Sequence, residues 1–268
     1  MNPILLAVII VSSAGLLLGL VLAVFSALFA VPVDEKEEKV RECLPGANCG
    51  ACGFSGCDGY AGALAKGETL ECNLCTPGGN EAAQAIAAIM GMKAGEIVPT
   101  AAFVFCRGNC ENCETKLDYV GAQSCKMASQ LFGGPKNCTF GCLGFGDCVS
   151  VCEYGAISIE DGVAKIDPSL CRACKMCIKA CPHHLIDLVP LNSVKATVMC
   201  KNHNKGAMTR KECKAGCIGC MKCVKACEEG AISIDNFCAV VDLDKCVGCG
   251  KCAEGCPTGS ISLQCLKG

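Results

Sequence analysis

The sequence predicts an α+β protein: one N-terminal transmembrane helix, a small cysteine-rich domain, then two tandem copies of one cysteine-rich module. Three observations carry this. Residues 4–32 contain no charged side chain. Residues 141–159, GCLGFGDCVSVCEYGAISI, and 216–234, GCIGCMKCVKACEEGAISI, agree at 12 of 19 positions, 75 residues apart and without a gap. Finally, 30 of 268 residues are Cys, far above ordinary usage.

The apolar run comes first. At roughly 1.5 Å per residue, a helix over it exceeds the ~30 Å hydrocarbon core of a bilayer. A signal peptide would need a basic leader and a shorter apolar stretch of about 7–15 residues, and neither is present. The anchor is expected over 1–33. Lys36, Lys39 and Arg41 follow it and no Lys or Arg precedes it. The positive-inside rule therefore places the remainder on the cytoplasmic side of the inner membrane. Gly15, Gly19, Ala23 and Ala27 recur every four residues, a smooth ridge of the kind that lets another helix approach closely, although small residues are common in any membrane helix.

Cysteine at this density serves disulfides, zinc or iron–sulfur clusters. The reducing side of a membrane argues against disulfides. Trp is absent and only 12 residues are Phe or Tyr, so something beyond side-chain packing must hold the soluble part together. A net charge of −2 without a long basic run gives nucleic-acid binding little electrostatic support.

The second copy of the repeat shows which use applies. Cys217, Cys220, Cys223 and Cys227, then Cys246, Cys249, Cys252 and Cys256, are both spaced C-x2-C-x2-C-x3-C, and Pro257 follows. This is the run of two-cluster bacterial ferredoxins, in which the fourth Cys crosses to the other cluster. Three thiolates in a tight loop wrap one face of an iron–sulfur cube and leave the last iron for a distant Cys. The expected ligand sets are Cys217, Cys220, Cys223 and Cys256 for one 4Fe–4S cluster, and Cys246, Cys249, Cys252 and Cys227 for the other. Zinc sites use pairs separated by a longer loop, and three short gaps crowd too many thiolates for one tetrahedral ion.

In the first copy, Phe145 stands where the second has Cys220. Cys138, in register with Cys213, is the available replacement. The sets expected there are Cys138, Cys142, Cys148 and Cys181, and Cys171, Cys174, Cys177 and Cys152. AISIEDGVAKID and AISIDNFCAVVD read as strand pairs turning at Asp161-Gly162 and Asp235-Asn236. CIKACP and CVKAC read as short helices after each cysteine loop.

Upstream, LPGANCGACGFSGC…CTPGG carries Cys49-x2-Cys52-x4-Cys57 with Cys75 farther on. Its glycines let backbone N–H groups approach cluster sulfurs, so Cys49, Cys52, Cys57 and Cys75 are expected to hold one cluster. Cys43 and Cys72 read as ordinary thiols, and Cys238 and Cys265 as apolar fill. GYAGALAKGE reads as a short helix, and NEAAQAIAAIMGMKAGE as an amphipathic packing helix capped by Asn80. Cys106, Cys110, Cys113 and Cys125 then form a less specific set for a sixth cluster. An alternative draws its ligands from Cys106, Cys110, Cys125, Cys200 and Cys213, because Cys125 and Cys200 also stand 75 apart. The domains expected are thus 34–79 (one cluster), 80–130 (a helix and a further cluster segment), 131–190 and 191–268 (the ferredoxin-like modules), with five to six 4Fe–4S clusters in all.

A lone membrane helix, an LPGANCGACGFSGC…CTPGG domain and CLGFGDCVSVC…CRACKMCIKACP, in that order, resemble the B subunits of Rnf complexes. These complexes are membrane-bound ferredoxin:NAD+ oxidoreductases coupled to Na+ or H+ translocation. Two features depart from the pattern: Glu153 and Glu228 replace the Pro that commonly follows the fourth Cys, and the first copy has altered gaps. The resemblance implies that reduced ferredoxin delivers electrons and that other subunits of the complex receive them. A membrane-tethered polyferredoxin serving another reductase and a cluster-assembly scaffold are the alternatives. No GxGxxG follows a strand signal and no Walker A loop occurs, so no dinucleotide site and no substrate-converting site are evident on this chain. His183, His184 and His203 read as neighbours of cluster loops rather than ligands. Lys175, Lys179, Lys222, Lys225 and Lys251 lie near those loops, where they could attract an acidic ferredoxin.

Overall fold

The structure, a computed structural model, describes residues 3–28 and 34–265. Helix α1 (Pro3–Leu28) runs for 26 residues, and among the described residues it is the one helix long and apolar enough to cross a membrane. Its side chains from Val8 to Ser26 are all exposed. Residues 29–33 and the side chain of Ala27 lie outside the described residues, so the far edge of the expected anchor and the last position of its ridge do too.

The next unit is built from α2 (Glu35–Glu42), α3 (Cys57–Ala65) and α4 (Gly79–Met90). Asp34 caps α2 through the Lys36 N–H, acids fill its first turn, and Lys39 and Arg41 its last, the arrangement that a helix dipole favours. Val40, Tyr60, Leu64 and Ile86 are fully buried between the three helices. Helix α4 is shorter than its apolar pattern suggests, because Gly91 takes the left-handed conformation and ends it. Its N-cap is Gly78, not Asn80. The Asn80 side chain instead accepts the Ile97 N–H at 3.0 Å.

Two similar units follow. The first comprises β1 (Thr100–Val104), α5 (Cys125–Ser129), α6 (Asp147–Ser150), β2 (Ile157–Glu160), β3 (Val163–Ile166), α7 (Met176–Ala180) and β4 (Ile186–Pro190). The second comprises β5 (Val194–Val198), α8 (Gly206–Glu212), α9 (Lys222–Ala226), β6 (Ile232–Asp235), β7 (Cys238–Val241), α10 (Lys251–Glu254) and β8 (Ile261–Cys265). Each unit has an antiparallel hairpin, β2–β3 or β6–β7, and an antiparallel pair joining its two ends, β1–β4 or β5–β8. Strand β1, within the 80–130 segment, thus pairs with β4 of the first module. Each sheet has two short strands, among them the alternating stretches ISIE and ISID. The cores they cover are lined by Cys, Ala, Val and Ile.

The first hairpin turns at Asp161 and Gly162, both left-handed, as a two-residue turn requires. The second turns one residue later than its sequence suggests, because Asp235 pairs with Cys238. Asn236 and Phe237 therefore take the left-handed positions, with φ of 45° and 64°. The side chain of Cys265 lies outside the described residues.

The repeat also has an unequal part. Cys106 and Cys200 each stand two residues beyond a strand, and each Sγ accepts the N–H two residues on, from Gly108 and Asn202, at 3.4 Å. They are 94 residues apart, whereas the later cysteines keep an offset of 75, so the first unit carries 19 extra residues between Cys106 and Cys138. The structural mate of Cys200 is Cys106, not Cys125.

Candidate iron–sulfur sites

The thiols gather in six groups. Group I is Cys49, Cys52, Cys57 and Cys75. Asn48, itself left-handed, accepts the Cys57 N–H at 2.8 Å and so fixes the loop onto the start of α3. A Cβ on Gly78 would lie 3.2 Å from Cys75 Sγ and 2.6 Å from Ala82, so this close approach needs glycine. Burial, reinforced by the other three thiols, pushes Cys75 up to about 11. Cys72 is buried and Cys43 donates to the Lys39 carbonyl, as expected of ordinary thiols.

Group II is Cys152, Cys171, Cys174 and Cys177, which face one another. The N–H groups of Ala102 and Ala173 donate to Cys171 Sγ at 3.3 and 3.5 Å. Group I abuts this group. Lys175 Nζ donates to the Ala51 carbonyl and Lys179 Nζ to the Cys49 carbonyl, both at 3.2 Å, and Thr76 donates to the Ala173 carbonyl. These two lysines are thereby engaged within the chain, and Lys251 is paired with Glu228 at 2.6 Å. Four of the five lysines near the loops, Lys179, Lys222, Lys225 and Lys251, are exposed, and Lys222 and Lys225 lie beside the exposed Cys220.

Group III differs from what spacing suggests. The recess lined by Cys142, Cys148 and Cys181 contains Cys125, not Cys138. Phe145 occupies its place in the loop by packing on Tyr119, ring centroids 5.3 Å apart, beside Cys125, Ala128 and Leu143. The inserted segment thus brings Cys125 to the recess next to Phe145. Burial first, then the charges of Cys142, Cys125 and Cys181, push Cys148 up to about 12. The Ala164 and Leu185 N–H groups donate to Cys142 and Cys181 Sγ at 3.5 and 3.4 Å.

Group IV contains Cys113, Cys138 and Cys213, packed together with Ala215 and Phe140. Cys106 and Cys200 line the same recess. A Cβ on Gly108 would lie 3.5 Å from Cys106 Sγ and 3.6 Å from Cys213 Sγ. The Cys138 N–H donates to Cys113 Sγ, and the Asn202 side chain to Cys138 Sγ, both at 3.5 Å. A hydrogen bond from the Cys213 thiol, opposed by burial, holds the Cys113 thiol below its ordinary range. Cys110 is not in this recess. It is exposed against Gly162. The four cysteines expected here from spacing therefore separate: Cys106 and Cys113 stay, Cys125 joins group III, and Cys110 stands apart.

The cysteines of group VI come together as the spacing suggests, and so do Cys217, Cys220 and Cys223 of group V. Cys223 faces Cys217 and Cys220, with Cys256 in the same core, and the Ala239 N–H donates to Cys217 Sγ at 3.4 Å. Cys227, Cys246, Cys249 and Cys252 line one recess, where the Ala196 N–H donates to Cys246 Sγ at 3.4 Å. Cys238, expected as fill, is buried and donates to the Cys200 carbonyl. His183 and His203 hydrogen-bond to carbonyls, of Gly141 and Asn236.

This arrangement suits 4Fe–4S clusters. Groups of buried thiols, with backbone N–H groups aimed at their sulfurs, are the surroundings such clusters use. Among the described residues no three His, Cys, Asp or Glu side chains converge as ligands of a single ion, and a cube with iron at its corners holds thiolates farther apart than one ion does.

Fold and thiol groups together define an iron–sulfur protein of the ferredoxin kind. Family models agree: an Fe-S cluster model matches residues 44–77, a 4Fe-4S binding domain 163–186 and a 4Fe-4S dicluster domain 216–260. Over most of its length the chain is also similar to the B subunits of three ion-translocating complexes. It is 43% identical over 246 residues to that of the Na+-translocating ferredoxin:NAD+ oxidoreductase complex of Acetobacterium woodii, covering 91% of this chain and 73% of the relative. It is 38% identical to that of the ion-translocating oxidoreductase complex of Methanosarcina acetivorans, covering 89% and 90%. It is 40% identical to that of the proton-translocating ferredoxin:NAD+ oxidoreductase complex of Clostridium ljungdahlii, covering 90% and 85%. The chain belongs to this family, the B subunits of Rnf-type ion-translocating oxidoreductase complexes.

Proposed function

We propose that this chain carries electrons from reduced ferredoxin to membrane partners of a ferredoxin:NAD+ oxidoreductase that translocates Na+ or H+, through six clusters held by groups I to VI. The ligands of group III would be Cys125, Cys142, Cys148 and Cys181, and those of group IV Cys106, Cys113, Cys138 and Cys213. When bound, the clusters supply reversible one-electron transfer. The chain's own residues hold the sites in line and set their surroundings.

The observation that carries this reading is the contact of each group with the next. Cys49 of group I acts on Cys174 of group II. Groups II and III exchange their fourth cysteines, Cys152 and Cys181, across one module. The Cys142 N–H of group III donates to Cys106 Sγ of group IV at 3.3 Å. Cys213 of group IV and Cys217 of group V flank one loop, and the cysteines of groups V and VI share one core, across which Cys256 and Cys227 would be exchanged.

The two ends differ. Groups V and VI each present an exposed cysteine, Cys220 and Cys249, and Lys222 and Lys225 stand beside the first. Group I lies in the unit that follows the anchor. Ferredoxin therefore docks at the second module, electrons leave from group I, and Lys36, Lys39 and Arg41 mark the cytoplasmic side.

Anaerobic iron and sulfide analysis of the full chain, with Cys113→Ser and Cys125→Ser variants, tests the sites: each variant should lose one cluster of six. Lys222→Glu with Lys225→Glu should slow reduction by ferredoxin and flatten its salt dependence. Unchanged kinetics would remove the docking assignment, and a wild-type count of five would remove group III or IV.

A further inference from the structure

Lys136 is the buried charge that the relay leaves unexplained. It is 6% exposed. A short antiparallel bridge turns it inward: Thr115 pairs with Lys136, the Lys116 N–H donates to the Pro135 carbonyl at 2.7 Å, and the Asn137 N–H donates to the Glu114 carbonyl at 2.8 Å. Its ammonium donates to two backbone carbonyls, Gly108 at 3.1 Å and Gly162 at 2.7 Å. None of the ion pairs among the described residues includes it. A buried ammonium without an anion is costly, so a counter-charge is required nearby.

The thiols of group IV supply one. Gly108, whose carbonyl Lys136 grips, lies against Cys106 and Cys213, and Lys136 stands two residues before Cys138. The carboxylate facing group IV, Glu212 beside Cys138, already receives N–H groups from Asn202 and Asn204 at 2.7 and 2.8 Å. The residue in register in the second copy, Lys211, is exposed on α8. At this position of the repeat the buried cation therefore occurs in the first copy alone.

We infer that Lys136 is the fixed counter-cation of the cluster at group IV and holds its reduction potential above the value that the four thiolates alone would set. A positive charge at this depth favours the reduced state, which carries more negative charge. The inference rests on the ligand set proposed for group IV.

The test is EPR-monitored potentiometric titration of full-length Lys136→Gln and Lys136→Arg, with iron counts. Gln keeps a hydrogen-bond donor and removes the charge, whereas Arg keeps the charge. In Lys136→Gln, one cluster should be about tenfold less reduced at a fixed potential, about 59 mV for one electron, with the others unmoved and Lys136→Arg like wild type. Loss of one cluster in Lys136→Gln but not in Lys136→Arg would equally support the inference. Wild-type potentials in Lys136→Gln, or loss of the cluster in both variants, would overturn it. Failure of the underlying site assignment reads differently: Cys113→Ser would then keep the wild-type iron count.

Discussion

Asp147 holds Cys125 by the backbone: its carboxylate accepts the Cys125 N–H at 2.9 Å, and also the Lys126 N–H and the Ser124 hydroxyl, each at 2.9 Å. Burial opposes the Asp147 charge, but these three donors outweigh it and keep the carboxyl below its ordinary range. Hydrogen bonds to a charged acceptor contribute about 1.5–3 kcal/mol. Asp147→Ala should therefore release the inserted segment and make the group III cluster labile to chelator, while the remaining iron stays bound. Timed iron release to a chelator checks this, and a single wild-type phase would contradict it.

Cys110→Ser should leave the iron and sulfide content unchanged, because Cys110 is exposed and lines neither neighbouring recess. Cys106→Ser should lower it by one cluster and Cys200→Ser should not. Should the second pair behave the other way round, the fourth ligand of group IV is Cys200.

Lys175→Met combined with Lys179→Met should leave all clusters in place yet slow electron transfer from group II to group I. The amides of residues 49–53 should also exchange hydrogen faster, since two of the three side-chain links between these units are gone. Freeze-quench EPR and hydrogen-exchange mass spectrometry measure the two effects. Wild-type behaviour in both would show that the lysines do not position group I.

Gly219→Ala should lower the temperature at which cluster absorbance bleaches. Gly219 has φ of +61°, and a Cβ there would lie 2.6 Å from the Phe237 carbonyl. Strain of this kind costs roughly 1–3 kcal/mol. Gly230→Ala, also left-handed but with nothing within 4 Å, should have the smaller effect, and equal effects would mean that the contact does not matter.

Cluster loading should release protons. Burial first, then neighbouring thiols, pushes Cys148 and Cys177 up to about 12, so both are neutral thiols in the empty protein at neutral pH. Iron binds the thiolate, and loading should weaken as pH falls. Titration of the empty protein with iron and sulfide in weak buffer, followed by a pH indicator, measures this; loading that is independent of pH would contradict it.

Much of this is legible in the cysteines. Groups I, II, V and VI can be read because their spacing reflects how a loop wraps one face of a cube. Groups III and IV cannot, because an insertion breaks the register that the spacing relies on. Two signals point to the rearrangement. Phe145 marks a missing thiol, and Asp147 replaces Lys222 of the second copy at the point that pins Cys125. Loop-closure economy favours keeping Cys106, Cys110, Cys113 and Cys125 together. Packing of Phe145 on Tyr119 and the three bonds to Asp147 outweigh it. The hairpin at Asn236-Phe237 lies one residue past the turn that its sequence suggests: pairing of Asp235 with Cys238 sets it, and the sequence does not signal it because Asn takes the left-handed conformation readily and Phe does not.

Group IV takes Cys213 from beyond the end of the first module. On the ribosome, the earliest cysteine group can close once residue 75 has emerged, whereas this one must wait until most of the polypeptide is made. Maturation of the protein is consequently staggered. A nascent chain arrested between the two modules would carry the first three groups and leave Cys113 and Cys138 without Cys213.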